Sequence, residues 1–206
     1  MKRWRWEMAS HAVASLRAHI AYQLLYELKE APLGRRTLVA RTGLTESVVR
    51  TELEKLEAQK LVSFSKLGTA LTARGRQFLA KKLSAIADVR DGQLRNLMLD
   101  RYARMAHIRG AADGFPAWLY RDIAVREGAT AALFLAKRKD VLCFVEEREP
   151  LAAKNPDDSR ILEQAFPNLK NGDLIVIVFG PAKGIATRGL WAVLWALASH
   201  RAITKS

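Results

Sequence analysis

The stretch from Arg35 to Thr72 constrains the fold of this 206-residue chain more than any other. Arg35 to Thr42 reads as a short helix with Leu38 and Val39 apolar, and Gly43 stands just past its end, where glycine is favoured. Leu44 follows, then Thr45, whose short hydroxyl side chain suits the N-cap of a new helix. Val49, Leu53 and Leu56 recur at steps of four and three, which makes one face apolar. Glu46, Ser47, Arg50, Thr51, Glu54 and Lys55 lie on the other faces. Leu61 to Ser65 alternates like a half-buried strand, Gly68 lies in a turn, and Ala70 to Thr72 returns as a second small strand. The order is helix, glycine-stopped short helix, capped helix, two-stranded ribbon, which is that of a winged helix-turn-helix. A helix from about Thr45 to Gln59 fits the major groove of B-DNA, and the ribbon reaches the neighbouring backbone.

The apolar face decides which residues are free to touch DNA. With Val49, Leu53 and Leu56 inward, Glu46, Ser47, Arg50 and Thr51 occupy the exposed N-terminal side. Arg50 is the candidate for a bidentate contact to guanine, worth about 1–3 kcal/mol of discrimination. Thr45 is assigned to capping. Arg35 and Arg36 open the second helix as phosphate contacts, Lys66 and Thr69 lie on the wing, and Arg74 and Arg76 lie just beyond it. Such contacts position a protein and carry little sequence information. Any one of these cations alone reads better as a solvated charge; the set together favours DNA. The ribbon is short, which argues against insertion into the minor groove.

Charge supports an anionic partner. The net charge is +13 and the isoelectric point about 10.2. Residues 1–110 carry 21 Lys+Arg against 10 Asp+Glu, while residues 111–206 carry 13 against 11. The excess is therefore expected to belong to the first half. The Trp-rich, basic start, with Lys2, Arg3, Trp4, Arg5 and Trp6, has no apolar core and does not read as a secretory signal. No apolar run of about 18 residues occurs, so no membrane span is expected. The single cysteine, Cys143, sits between Leu142 and Phe144 and reads as a buried strand thiol in a reducing, cytoplasmic setting.

Around the central motif, a first helix is expected from a Ser10 cap to Glu30, with Val13, Leu16, Ile20, Leu24 and Leu28 as its stripe. Ala73 to about Ile108 reads as largely helical, with Gly110, Gly114 and Pro116 as a linker. Domains are thus expected at 1–110, a winged helix with a helical extension, and 111–206. The second half reads as a helix over Ala117 to Glu127, a hairpin of Thr130 to Ala136 and Val141 to Val145, and a helix over Pro156 to Phe166. A central strand over Asp173 to Phe179 and an apolar helix over Ile185 to His200 complete it, giving a small α/β domain. The whole is an α+β chain.

The residues Leu33 to Val39, Gly43 to Leu53, Leu61-Val62, Gly68, Leu71-Thr72 and Gly75 resemble the N-terminal winged helix of the central glycolytic gene regulator family, and also winged helices of the multiple-antibiotic-resistance regulator type. This implies a DNA-binding transcription regulator. The chain lacks the length for the large sugar-phosphate-binding domain of the bacterial glycolytic regulators. Through Arg126 to Ala131 and the Asp173 strand, the whole chain is similar to archaeal winged-helix proteins in which a small C-terminal domain of unknown function follows the DNA-binding half.

The expectation is a non-enzymatic, cytoplasmic regulator of double-stranded DNA, dimeric because two-fold operators are read by dimers. The Gly180–Gly184 loop joins a strand to a helix, where free backbone N–H groups gather. A small anionic effector is placed there against Lys183, Thr187 and Arg188. The loop matches no nucleotide-binding fingerprint. The four histidines lack metal spacing, no nucleophile elbow occurs, and no cofactor is implied. Two alternatives are a sequence-nonspecific chromatin or RNA-binding protein, and a nucleotide-using enzyme with an appended winged helix.

Overall fold

The computed structural model describes residues 18–147 and 149–203. The expected Ser10 cap, Val13, Leu16 and the Trp4–Trp6 segment lie outside the described residues. The chain divides into two compact units, Met1–Leu79 and Ala80–Ser206.

The first unit contains helices α1 (Ala18–Glu27), α2 (Arg35–Thr42) and α3 (Glu46–Ala58). The strands β1 (Val62–Ser65) and β2 (Gly68–Leu71) follow, with the start of α4 (Ala73–Leu83). Ile20, Leu24, Leu25 and Leu28 of the first helical stretch pack with Leu38, Val49, Leu53, Leu56, Leu61, Val62 and Leu71 in one buried cluster. The apolar face assigned to α3 is therefore the buried one. Gly43 ends α2 in the left-handed region, φ 70°, with its N–H on the Val39 carbonyl at 2.9 Å. The buried Thr42 fixes this turn. Its Oγ1 donates to the Leu38 carbonyl at 2.6 Å, and Gln23 Nε2 of α1 donates to the Thr42 carbonyl at 3.2 Å.

β1 and β2 pair antiparallel with Ser65 opposite Gly68. The wing has a third member, because Leu33 and Thr69 exchange two backbone hydrogen bonds at 2.9 Å each. Gly68, at φ 115°, is required there, since a Cβ would meet the Leu33 carbonyl at 2.7 Å. β1 does not alternate as expected: Phe64 is 48 % exposed.

The second unit corrects the sequence reading. Residues 86–108 are not helical but form β3 (Ile86–Gly92) and β4 (Tyr102–Ile108), paired antiparallel. Phe78, Leu79, Leu83 and Ile86 happen to fall at helical steps, yet from Ala103 the period is two. Ala103 and Met105 join one core while Arg104, Ala106 and Ile108 take the other face, and pairing with the central strand outweighs local pattern. The boundary expected at 110 accordingly falls between Leu79 and Ala80. Gly110 is not a linker, for its N–H donates to Asp173 Oδ1 at 2.8 Å inside the second unit.

The remaining elements are α5 (Ala117–Arg126), β5 (Ala131–Arg138), β6 (Val141–Phe144), α6 (Leu151–Lys154), α7 (Pro156–Ala165), β7 (Leu174–Gly180) and α8 (Lys183–Ile203). The five-stranded sheet runs β3-β4-β7-β5-β6, with every pairing antiparallel. All seven residues of β7 are buried, as its continuous apolar run requires. Ile175, Ile177 and Phe179 face Leu162 and Phe166 of the α7 side, whereas Val178 faces Gly189 of α8. Pro156 occupies the first turn of α7 behind Asn155, so the helix starts ahead of Asp157 and Asp158. The loop after β7 is shorter than expected, because α8 begins at Lys183 and includes Gly184.

Candidate nucleic-acid interface

The start of α3 is exposed. Glu46, Ser47 and Arg50 are exposed and Thr51 is half-buried; Ser47 and Thr51 lie opposite Val49, Leu53 and Leu56, and Glu46 and Arg50 flank that apolar face. Arg50 has no ion pair among the described residues, which leaves its five donors available. Thr45 holds the N-cap position without a side-chain cap bond; its hydroxyl lies 3.2 Å from Ser47 Oγ instead. Contrary to expectation, the Thr45 side chain does not cap α3, and two neighbouring hydroxyls stand at the helix start.

Arg35 and Arg36 open α2 and are exposed. Arg35 Nη1 lies 3.9 Å from Glu46 Oε1, so the starts of α2 and α3 meet at one edge. Both partners are largely solvated, and such a pair adds little to stability. The pair partly offsets the negative charge of Glu46 at that edge.

The wing does not supply all the contacts expected of it. Lys66 is exposed at the tip, and Leu67 beside it is 82 % exposed. The Ser65 hydroxyl donates to the Gly68 carbonyl at 3.0 Å and accepts from the Leu67 N–H at 3.2 Å, which stiffens the turn. Thr69 is 4 % exposed beneath the Leu33 bridge and cannot reach DNA, so that assignment is corrected. Arg76 Nη1 donates to the Leu71 carbonyl at 2.9 Å, which partly commits it to holding the wing. Arg74 is exposed beside Ala58, Gln59, Lys60 and Phe78, at the far end of α3 from Glu46. That distance is about 18 Å along the helix axis.

Sequence reasoning missed a Schellman turn behind α3. The Leu61 N–H reaches the Leu56 carbonyl at 2.9 Å and the Lys60 N–H reaches the Glu57 carbonyl at 2.7 Å. Lys60 stands at φ 60°, where glycine is usual, so the sequence carried no sign of it.

In the second unit the three effector candidates stand near the start of α8, each engaged within the protein. Lys183 Nζ lies 2.7 Å from Asp91 Oδ2, and Arg104 Nη1 lies 2.6 Å from Asp91 Oδ1. Burial pushes the Asp91 carboxyl up, but the hydrogen bonds from Lys183 and Arg104 outweigh it and hold the group below the usual carboxylate range. Thr187 is buried, with its hydroxyl donating to the Lys183 carbonyl at 2.8 Å. Arg188 donates to the Glu127 carbonyl from Nε and Nη2 at 3.2 and 2.8 Å, and its Nε lies 3.3 Å from Glu127 Oε2. Burial raises the Glu127 carboxyl against the opposing pull of Arg188. Asp91 and Arg104 were not legible as part of this cluster. Among the described residues no group of three His, Cys, Asp or Glu could hold a metal ion, and no helix is long and apolar enough to cross a membrane.

The first unit is thus a winged helix-turn-helix with the start of α3 exposed. Comparison with known proteins agrees. Residues 19–86 match the CggR N-terminal DNA binding domain, and residues 105–197 match a domain of unknown function, DUF4443. Two similar proteins are named central glycolytic genes regulator. That of Priestia megaterium (strain DSM 319 / IMG 1521) is 28 % identical over 167 residues, 79 % of this chain and 45 % of the relative. That of Bacillus subtilis (strain 168) is 27 % identical over 156 residues, 74 % of this chain and 42 % of the relative. The chain spans less than half the length of these relatives. The fold is shared with a hypothetical protein, PH0730, from Pyrococcus horikoshii OT3, at a TM-score of 0.71 and 22 % identity over 87 % of this chain and 93 % of that one.

Proposed function

We propose that this protein is a transcription regulator that lays α3 in the major groove of double-stranded DNA as a homodimer and does no catalysis. The exposed Arg50, without an ion pair among the described residues, stands near Ser47 on the outer side of α3 and carries this reading. Arg35, Arg36 and Lys66 supply phosphate contacts, and Arg74 and Arg76 supply them toward the far end of the helix. Selection of bound sequences from a random duplex pool at stated salt tests it. Enrichment of a two-fold site supports both the reader and the dimer.

A small anionic effector at Lys183, Thr187 and Arg188 remains part of the proposal. It has to displace Asp91 from Lys183 or Glu127 from Arg188, so its affinity rests on replacing existing pairs. A titration in which candidate phosphorylated metabolites leave the thermal midpoint unchanged excludes it.

One observation favours a second reading. With the boundary at Leu79, residues 1–79 carry 14 Lys+Arg against 7 Asp+Glu and residues 80–206 carry 20 against 14. The net charges are then +7 and +6, so the excess is not confined to the winged helix, which suits binding without sequence preference. Steep loss of affinity with salt and no enriched sequence mark that case.

A further inference from the structure

We propose that the outer edge of β3 pairs antiparallel with β3 of a second copy of this chain, centred on Val89. This names a surface for the dimer proposed above and rests on that reading. The five-stranded sheet has two edges. The β6 edge is covered, because Cys143 bridges to Pro150. Beside β3 no strand stands among the described residues. Past the bulge at Ala87 its ladder to β4 is regular, from Asp88 opposite His107 to Gly92 opposite Ala103. With β4 on one side, the other side of β3 offers unpaired backbone groups, the template for strand addition. The Val89 N–H marks that side: it donates to the carboxylate of its own neighbour, Asp88 Oδ1, at 2.7 Å.

The charge pattern of this edge is self-complementary. In a two-fold antiparallel pairing centred on Val89, Asp88 of each copy lies opposite Arg90 of the other. If Val89 faces Val89 as a hydrogen-bonded pair, the two ionic pairs fall at non-hydrogen-bonded positions, where opposite Cα atoms are only about 4.5 Å apart. Within one chain Arg90 closes on Asp88 through two hydrogen bonds, that from Nε at 2.9 Å, and the side chains stay 42 % and 35 % exposed. Association exchanges this local pair for two cross-strand pairs and releases the Val89 N–H to the partner's backbone. Val89 meets Val89 on the opposite face.

The test uses the full chain and light scattering after size exclusion. The wild type is expected at twice its 23.0 kDa. Asp88→Arg and Arg90→Asp are each expected at monomer mass, since like charges then face each other at both positions. An equimolar mixture of the two variants is expected to regain the dimer, because every cross-strand pair is again of opposite sign while the pair within each chain stays broken. As a milder variant, Val89→Cys is expected to give a covalent dimer on oxidation. The hydrogen-bonded Cα spacing of about 5.5 Å lies within disulfide range, and the native Cys143 is buried. A wild type at monomer mass overturns the dimer itself. A dimer that survives both charge substitutions, a mixture that stays monomeric, or a dimeric Val89→Cys chain that does not cross-link overturns the β3 edge and leaves the dimer elsewhere.

Discussion

A Cβ placed on Gly75 would lie 2.0 Å from the carbonyl oxygen of Leu61. The helix that follows the wing is therefore pressed onto the residue just before β1, closer than any side chain permits. The same carbonyl accepts the Thr72 N–H at 3.0 Å and the Thr72 hydroxyl at 3.2 Å, so it has no room to move away. Gly75→Ala is expected to cost about 1–3 kcal/mol or more, the usual penalty of overpacking. The exposed Gln77→Ala on the same helix is expected to stay within about 0.5 kcal/mol. Denaturant midpoints of the two variants check this, and equal midpoints would count against the close approach.

Asp158 shows a comparable dependence in the second unit. It is fully buried, and its carboxylate accepts the backbone N–H groups of Arg95, Asn96 and Leu97 at 2.6, 2.9 and 2.8 Å. The loop between β3 and β4 is thereby tied to the first turn of α7. Asp158→Ala leaves three amide donors without that acceptor, and we expect a loss of about 2–4 kcal/mol from the second unit. Hydrogen exchange should quicken at residues 95–97 while α2 and α3 keep their protection. Unchanged exchange at those three amides would refute the tie.

Acid should release a second buried carboxylate. Burial pushes Asp173 up, but the N–H groups of Lys170 and Gly110 and the His107 ring, 2.7 Å away, hold it below the usual carboxylate range. A pKa that folding lowers contributes stability above the unfolded value of about 3.9, and that contribution is lost as pH falls through the folded value. Asp173→Asn is therefore expected to be less stable than the wild type by a constant margin at neutral pH, with the margin shrinking below about pH 4. Unfolding curves from pH 7 to pH 2 check the sign. A margin that widens in acid would reverse the assignment.

What the sequence revealed follows from how far each constraint reaches. The core of α3 and the Gly43 turn were legible because both are written in consecutive residues: an apolar period of 3.6, and a glycine where φ is positive. The Schellman turn at Lys60 uses the same positive φ without the glycine, and so left no mark. Residues 86–108 were misread because β4 pairs with β7, about 70 positions further on, and β3 in turn pairs with β4, while Leu94, Leu97 and Met98 imitate a helical stripe in the loop between them. The wing assignment of Thr69 failed for a similar reason. Leu33, distant in sequence, covers it.

The boundary between Leu79 and Ala80 also bears on the DNA contacts. Because the second unit also carries a net +6, charge alone does not confine DNA contact to the winged helix, and the case for sequence reading rests on α3 itself. Arg50 is expected to act differently from Arg36. A bidentate base contact is worth about 1–3 kcal/mol, so Arg50→Ala should weaken binding to the selected site by about 5- to 150-fold and relax preference at one base position. A phosphate contact carries no sequence information, so Arg36→Ala should weaken selected and random duplexes alike and reduce the slope of affinity against salt by about one. Thr69→Ala, buried under Leu33, should change stability and leave the ratio of specific to random binding where it was. Fluorescence anisotropy on both duplexes at three salt concentrations separates these outcomes. Equal losses on both duplexes for Arg50→Ala would make it another phosphate contact and move the search for the reading residue to Ser47 and Thr51.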